Sequence, residues 1–122
     1  MDKQRRKELI EQYKQIKTCM GAVKITNTTN GKIFVSVYPN LKNKWLTLRE
    51  QLRMGRFVNT QLQKDWNELG EEAFTYEVLE EKEVKEDTDV RWELKQMEKK
   101  WLEKLQPYGE RGYNRLPIRK TE

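Results

Sequence analysis

A single carboxylate stands out by its position in a predicted helix near the end of the chain. Glu98 lies among apolar residues spaced three or four apart, which are Val90, Leu94, Met97, Trp101, Leu102 and Leu105. At about 100° per residue these side chains span one arc of the helix, and Glu98 falls inside it. A carboxylate on a core-facing arc is costly unless it is paired, hydrogen-bonded or bound to a metal. Glu98 is therefore a ligand for Mg²⁺ or Mn²⁺, the partner of a cation, or a residue at the solvent edge of the arc.

Histidine is missing from the whole sequence of 122 residues. The chain thus lacks the commonest general base and the commonest nitrogen ligand of metals. Ser36 has no histidine partner for a hydrolytic triad, and a zinc site is not expected with Cys19 as the single cysteine. Any catalysis must therefore use carboxylates, lysine, tyrosine, serine or a metal held by oxygen.

The net charge of +5 is unevenly spread along the chain. Residues 71–89 hold nine acidic side chains against two basic ones, so the remaining residues carry +12. Basic residues cluster after the second predicted strand, at Lys42, Lys44, Arg49, Arg53 and Arg56. This cluster is either a phosphate-binding edge for DNA or another nucleic acid, or a solvated helix face.

The elements that must position these side chains follow from the apolar spacing. The pattern predicts a helix over 2–20, strands over 22–26 and 32–38, helices over 41–54 and about 60–69, a strand over 73–80 and a helix over 89–105. Asn30-Gly31 favours a tight hairpin turn between the first two strands. We therefore expect an α+β fold, with a small three-stranded antiparallel sheet flanked by helices.

Length and composition indicate one domain in the cytoplasm. We expect an amphipathic helix over residues 1–20, a folded domain over 21–115 and a tail over 116–122. No run of about 18 apolar residues is present, so no membrane span is expected. The charged start of the chain and the lone Cys19, which has no internal disulfide partner, also favour the cytosol.

An ordered set of short motifs resembles the GIY-YIG endonuclease superfamily. The first hairpin carries Gly21-Ala22-Val23 and Phe34-Val35-Ser36 where the family has its two name-giving tripeptides. Further matches follow in order at Asn40-Leu41-Lys42, Leu62 to Asn67, Gly70, Glu98 and Gly112-Tyr113-Asn114. The resemblance covers residues 21 to about 115, and its specificity lies in the order of the set.

The resemblance implies a site that cuts phosphodiester bonds in DNA with one divalent metal. The implied catalytic residues are Lys44, Glu98 and Asn114, with Glu98 as the ligand of Mg²⁺ or Mn²⁺ pointing toward the hairpin. The family's two tyrosines, its arginine and its frequent histidine are replaced by Val23, Phe34, Lys44 and Leu48. Valine and phenylalanine lack the hydroxyl of tyrosine, and lysine lacks the guanidinium group with which arginine forms two parallel hydrogen bonds to a phosphate. The resemblance therefore implies an eroded cleavage site.

Three functions remain open from the sequence. The first is a nuclease-family protein that binds nucleic acid and cleaves weakly or not at all. The second is an active metal-dependent DNA endonuclease in which Tyr38 or Tyr113 replaces the missing base. The third is a protein-interaction module, or a self-associating chain, that uses residues 1–20 and the acidic stretch Glu71–Asp89.

Overall fold

The computed structural model describes residues 18–116. The helix predicted over residues 1–20 lies outside this range except at its end, where the prediction was wrong. Cys19 and Met20 begin the first strand, and Met20 is fully buried there. Met20 and Ala22 are both buried at a spacing of two, which is the period of a strand face.

Three antiparallel strands form the sheet, as predicted. Strand β1 (Cys19–Asn27) is central, and it pairs with β2 (Ile33–Tyr38) on one side and β3 (Phe74–Glu83) on the other. The predicted turn joins β1 to β2, with Gly31 at a φ of 77° and its N–H bonded to the Asn27 carbonyl at 2.8 Å. Strand β3 ends three residues later than predicted, because its acidic end still pairs with the start of β1.

Two helices cover one face of the sheet. Helix α1 (Lys44–Arg53) and helix α2 (Thr60–Leu69) pack Leu48, Leu52, Leu62 and Trp66 into a core that includes Ile25 and Phe34 of the strands. Asn59 begins α2, since its side chain accepts a hydrogen bond from the Leu62 N–H at 3.0 Å. The predicted helices are thus confirmed, although α1 begins three residues later than expected.

The last helix covers the opposite face. Helix α3 (Val90–Leu105) packs on β1 and β2, and Met97 is its buried residue. Its ties to β3 include a hydrogen bond from the Trp101 Nε1–H to Glu80 at 2.8 Å and an ion pair between Glu93 and Lys82 at 2.6 Å. The α+β architecture with helices on both faces is therefore confirmed. Within residues 18–116, no helix has the length and apolar character that crossing a membrane requires.

The segment after α3 returns to the outer edge of β2. Gly112 forms a parallel bridge with Ile33, and the Tyr113 N–H donates to the Ile33 carbonyl at 2.9 Å. A Cβ on Gly112 would lie 2.4 Å from the Pro107 carbonyl oxygen and 2.5 Å from that of Ile33. Only glycine allows this approach, which brings the end of the domain against an edge strand that would otherwise be open.

Candidate functional site

The three side chains predicted to be catalytic all lie beside β2. Asn114 bonds to Val35, Lys44 lies over Tyr38, and Glu98 shares a shallow surface depression with Val37. Val37 and Tyr38 are successive strand residues, so their side chains point to opposite faces of the sheet. Glu98 and Lys44 therefore flank the same strand but do not line one common cavity.

The side chain of Asn114 forms two hydrogen bonds with the backbone of the edge strand β2. Its Oδ1 accepts a hydrogen bond from the Val35 N–H at 2.8 Å, and its Nδ2 donates to the Val35 carbonyl at 2.8 Å. Both ends of the amide are thus engaged by one residue of β2. This geometry is that of a positioning residue, because it fixes the strand that carries the second tripeptide.

Lys44 is the first residue of α1 and lies against an aromatic ring. Asn43 precedes it in a left-handed conformation with a φ of 54°, which turns the chain into the helix. The Lys44 Nζ lies 4.6 Å from the centroid of the Tyr38 ring, within the range of a cation–π contact. Burial raises the pKa of the Tyr38 hydroxyl, so the ring beside the lysine stays neutral.

Glu98 is exposed, which corrects the expectation of a core-facing carboxylate. The packing line of α3 is centred on Met97, and the next residue along a helix is rotated by about 100° from it. Glu98 therefore sits at the solvent edge of the arc, in a depression that also holds Arg91, Leu94 and Lys95. Its charge adds to the effect of burial in raising the pKa of Tyr108.

The donors around Glu98 do not fit a resident divalent cation. Within residues 18–116, no group of three or more histidine, cysteine, aspartate or glutamate side chains is arranged to hold a metal. The depression supplies one carboxylate, and its two other charged residues, Arg91 and Lys95, are cations. Like charges repel, so this surface is a poor place for Mg²⁺ or Mn²⁺ in the free protein.

The positions of the missing tyrosines and histidine are filled with packed apolar side chains. Val23, Phe34 and Leu48 are 1%, 8% and 4% exposed. Phe34 also meets the ring of Phe57 edge-on, with the centroids 5.5 Å apart. A region that would need hydroxyl and imidazole groups for proton transfer is therefore part of the hydrophobic core.

The five basic residues predicted to bind nucleic acid differ in their exposure and in their partners. Arg53 is held by Glu71 at 2.7 Å and by Glu50 at 3.1 Å. Arg49 is half-buried, and its Nε has no hydrogen-bond partner among the described residues. Lys42 and Arg56 are exposed, and Lys44 is half-buried. Arg53 is thus the member of this set whose charge is paired, by Glu50 on the same helix and by Glu71 from a later segment.

A cleft of about 680 Å³ lies between β2, the start of α2 and the C-terminal segment. Its walls include Lys32, Phe34, Asn59, Tyr113 and Asn114. Sequence reasoning missed it, because the three segments come together only through the parallel bridge of Gly112. The available signal was weak, because the hairpin, the helix over about 60–69 and the Gly112-Tyr113-Asn114 motif were each identified separately.

Tyr113 forms the inner wall of this cleft through a buried network. Its hydroxyl donates to Asp65 at 2.6 Å and accepts from the Asn27 Nδ2 at 3.0 Å. Burial and the bond to Asp65 raise the pKa of Tyr113 to about 12. Asn59 also donates to the Tyr113 carbonyl at 2.7 Å. These bonds link β1, α2 and the C-terminal segment into one rigid wall.

Comparison with known proteins gives two similar solved structures. One is the catalytic domain of the homing endonuclease I-TevI, with a TM-score of 0.63 and 26% identity over 80% of this chain and 99% of that domain. The other is a glutamate-to-alanine mutant of the same catalytic domain, with a TM-score of 0.63 and 24% identity over 79% of this chain and 92% of that one. No family profile and no curated protein sequence matches the chain. The three-stranded antiparallel sheet and its flanking helices agree with the fold of this GIY-YIG homing endonuclease domain, and this similarity supports the resemblance of the chain to the GIY-YIG endonuclease superfamily.

Proposed function

We propose that this protein is a nucleic-acid-associated member of the nuclease family in which phosphodiester cleavage is weak or absent. The proposal rests on one observation above all. Phe34 and Leu48, at positions where the resemblance implies a tyrosine and a histidine, are packed in the same hydrophobic core. Neither side chain can orient a water molecule or carry a proton.

The chemical deficit is large in energetic terms. A positioned general base commonly contributes about 10²–10⁴-fold to a rate, and one hydrogen-bond donor to the transition state about 10²–10³-fold. Val23, Phe34 and Leu48 remove groups of the first kind. Lys44 retains a charge but cannot form the paired bonds of a guanidinium to phosphate.

The two tyrosines considered as substitute bases are poorly suited to that role. Burial raises the pKa of Tyr38, and burial together with Asp65 raises that of Tyr113 to about 12. A hydroxyl with a raised pKa holds its proton at neutral pH and does not accept another from water. This argues against the alternative of an active endonuclease with a relocated base.

DNA is the proposed partner, because homologous nucleases act on it. Lys42, Lys44 and Arg56 of the predicted cluster form no ion pair with a carboxylate within residues 18–116. Each contact between such a cation and a phosphate makes binding weaker as salt rises, through release of counterions. Nucleic-acid binding should therefore fall steeply with ionic strength.

The deciding experiment measures cleavage and binding on the same preparation. Duplex, branched and single-stranded DNA are incubated with Mg²⁺ or Mn²⁺, and binding is followed at increasing salt. We expect binding that is lost with salt, and no cleavage above that of Glu98→Ala. Glu98 is exposed, so this control should fold normally.

Two other results would each select another function. Metal-dependent cleavage by the wild type that Glu98→Ala abolishes would refute erosion and establish an active endonuclease. Absence of nucleic-acid binding even at low salt would refute the nucleic-acid association. A protein partner is the remaining alternative, and the feature that favours it is Trp92, which is 55% exposed on α3. A partner that survives nuclease treatment and is lost on removing residues 1–17, which leaves β1 intact, would support that function.

A further inference from the structure

The cleft beside β2 has a charge pattern that sets it apart from other concave surfaces of the molecule. Lys32 and Arg115 lie in its lining, and its lining contains no acidic residue. By contrast, a depression at the end of β3 includes Glu83, Asp87, Asp89 and Glu93. The cleft is therefore the concave region best suited to an anionic group among those seen in residues 18–116.

Its two cations are available for a ligand. Within residues 18–116, neither Lys32 nor Arg115 forms an ion pair with a carboxylate, whereas Lys24, Lys82 and Lys100 each do. The Lys32 Nζ lies 5.7 Å from the centroid of the Tyr113 ring, which keeps it at the wall of the cleft. A phosphate group entering here would meet positive charge without displacing an existing partner.

The rim of the cleft adds apolar surface to these charges. Val58 and Leu116 line it and are 79% and 71% exposed. These two exposed aliphatic side chains line the same cleft and together form an apolar surface on which a flat, weakly polar group can pack. Gln61, exposed beside them, offers an amide donor and acceptor for the edge of such a group.

The size of the cleft restricts what can enter it. About 680 Å³ lies within the range of roughly 300–1,000 Å³ typical of sites for small molecules. A base inside a duplex is stacked and paired, and bringing it out costs a few kcal/mol. A base of a single strand is free of this cost, so a single strand is the favoured form of nucleic acid at this site.

We propose that this cleft binds one nucleotide unit of a single-stranded nucleic acid, with the phosphate held by Lys32 and Arg115 and the base packed on Val58 and Leu116. The proposal rests on the nucleic-acid association proposed above and adds the form of the substrate. The site is separate from the surfaces of Lys44 and Glu98, neither of which lines the cleft.

Binding of a short labelled oligonucleotide to the whole chain tests the assignment, with the same sequence as a duplex for comparison. Val58→Glu introduces a negative charge at an exposed position, and Val58→Gln adds the same bulk without the charge. We expect Val58→Glu to weaken single-strand binding by about tenfold or more, and to weaken duplex binding less. Val58→Gln should remain within about threefold of the wild type.

A second pair of variants tests the two cations. The combined change Lys32→Gln and Arg115→Gln should make the negative slope of log affinity against log salt less steep for the single strand by about 0.7, since the two side chains hold one phosphate and each neutralised phosphate contributes about 0.7. Lys64→Gln with Lys99→Gln removes the same charge from exposed positions outside the cleft and should leave that slope nearly unchanged. Thermal unfolding of each variant verifies that the fold is intact.

The possible outcomes separate this inference from the proposed function. If the wild type binds no nucleic acid at low salt, both fail together. If it binds, but the cleft variants behave like their matched controls, the cleft assignment alone is overturned. Backbone amide shifts at Thr60, Gln61 and Asn114 on adding a nucleoside monophosphate would support a nucleotide site, and equal shifts with inorganic phosphate would overturn the contact to the base.

Discussion

Replacing Asn114 should destabilise the domain, because its amide ties the C-terminal segment to β2. Asn114→Ala removes two hydrogen bonds of 2.8 Å to Val35. A typical hydrogen bond contributes about 0.5–1.5 kcal/mol net, so the loss in the free energy of unfolding is about 1–3 kcal/mol. Water can reach this edge of the sheet in part, which favours the lower half of that range.

Asn114→Asp tests the same two hydrogen bonds more specifically, because its effect on the free energy of unfolding depends on pH. The carboxylate still accepts from the Val35 N–H but faces the Val35 carbonyl oxygen, to which the native amide donates. The neutral acid can donate there again, so folding raises the pKa of this carboxyl above its unfolded value of about 3.9. The stability that the side chain contributes is therefore fully present below that value and is lost as pH rises through the folded pKa.

Urea unfolding at neutral and acidic pH measures both effects. Asn114→Asp should become more stable relative to Asn114→Ala as the solution is acidified, since the neutral acid regains the bond to the carbonyl and alanine carries no titrating group at this position. If Asn114→Ala unfolds within about 0.3 kcal/mol of the wild type, the two bonds hold little net energy and the positioning role is refuted. If Asn114→Asp follows the wild type at every pH, the carbonyl does not face the carboxylate as described.

Three further predictions concern the wall of the cleft, the carboxylate on α3 and the filled catalytic positions. The raised pKa of Tyr113 means that its neutral form stabilises the fold below pH 10 and that this contribution is lost as pH rises through about 12. The free energy of unfolding of the wild type should therefore fall by about 2–3 kcal/mol across that interval, and Tyr113→Phe should not show this decrease. Glu98→Ala should change the free energy of unfolding by less than about 0.5 kcal/mol, since the side chain is exposed, and a loss above about 1.5 kcal/mol would indicate a structural ion pair instead. Leu48→His should cost at least about 2 kcal/mol in a denaturant titration, because the site is 4% exposed and apolar, and a stable variant would contradict the packed core.

The sequence predicted the elements well where one period dominated. The strand predicted over 32–38 is β2 (Ile33–Tyr38), and the helix predicted over about 60–69 is α2 (Thr60–Leu69). The failure at Cys19 and Met20 has a physical cause. An apolar residue four after another satisfies a helix pattern and also an alternating one, so Met20 fitted both until its pairing with Lys82 decided for the strand.

The candidate site was predicted less well, because periodicity on one helix does not determine what lies opposite it. Glu98 fell on the apolar arc of α3, yet that helix buries Met97 and leaves the neighbouring position exposed. The kinship was expected to require a Glu98 side chain turned toward the hairpin near Val23 and Phe34. The similarity to the endonuclease fold holds without it, because it extends over the sheet and its helices and does not depend on one carboxylate.

Two positions that agree with the family pattern need their own residue type for structural reasons, whereas the altered positions in the core are filled by apolar side chains. A Cβ on Gly21 would lie 2.1 Å from the Glu80 carbonyl oxygen, so the first residue of the first tripeptide is fixed by strand packing. Asn114 is held in the same way by its two bonds to Val35. The hydroxyl and imidazole groups implied at Val23, Phe34 and Leu48 would contribute to catalysis, but their burial would cost stability. Apolar residues there avoid that cost, so the erosion of cleavage proposed above and the persistence of the fold have the same basis in packing energetics.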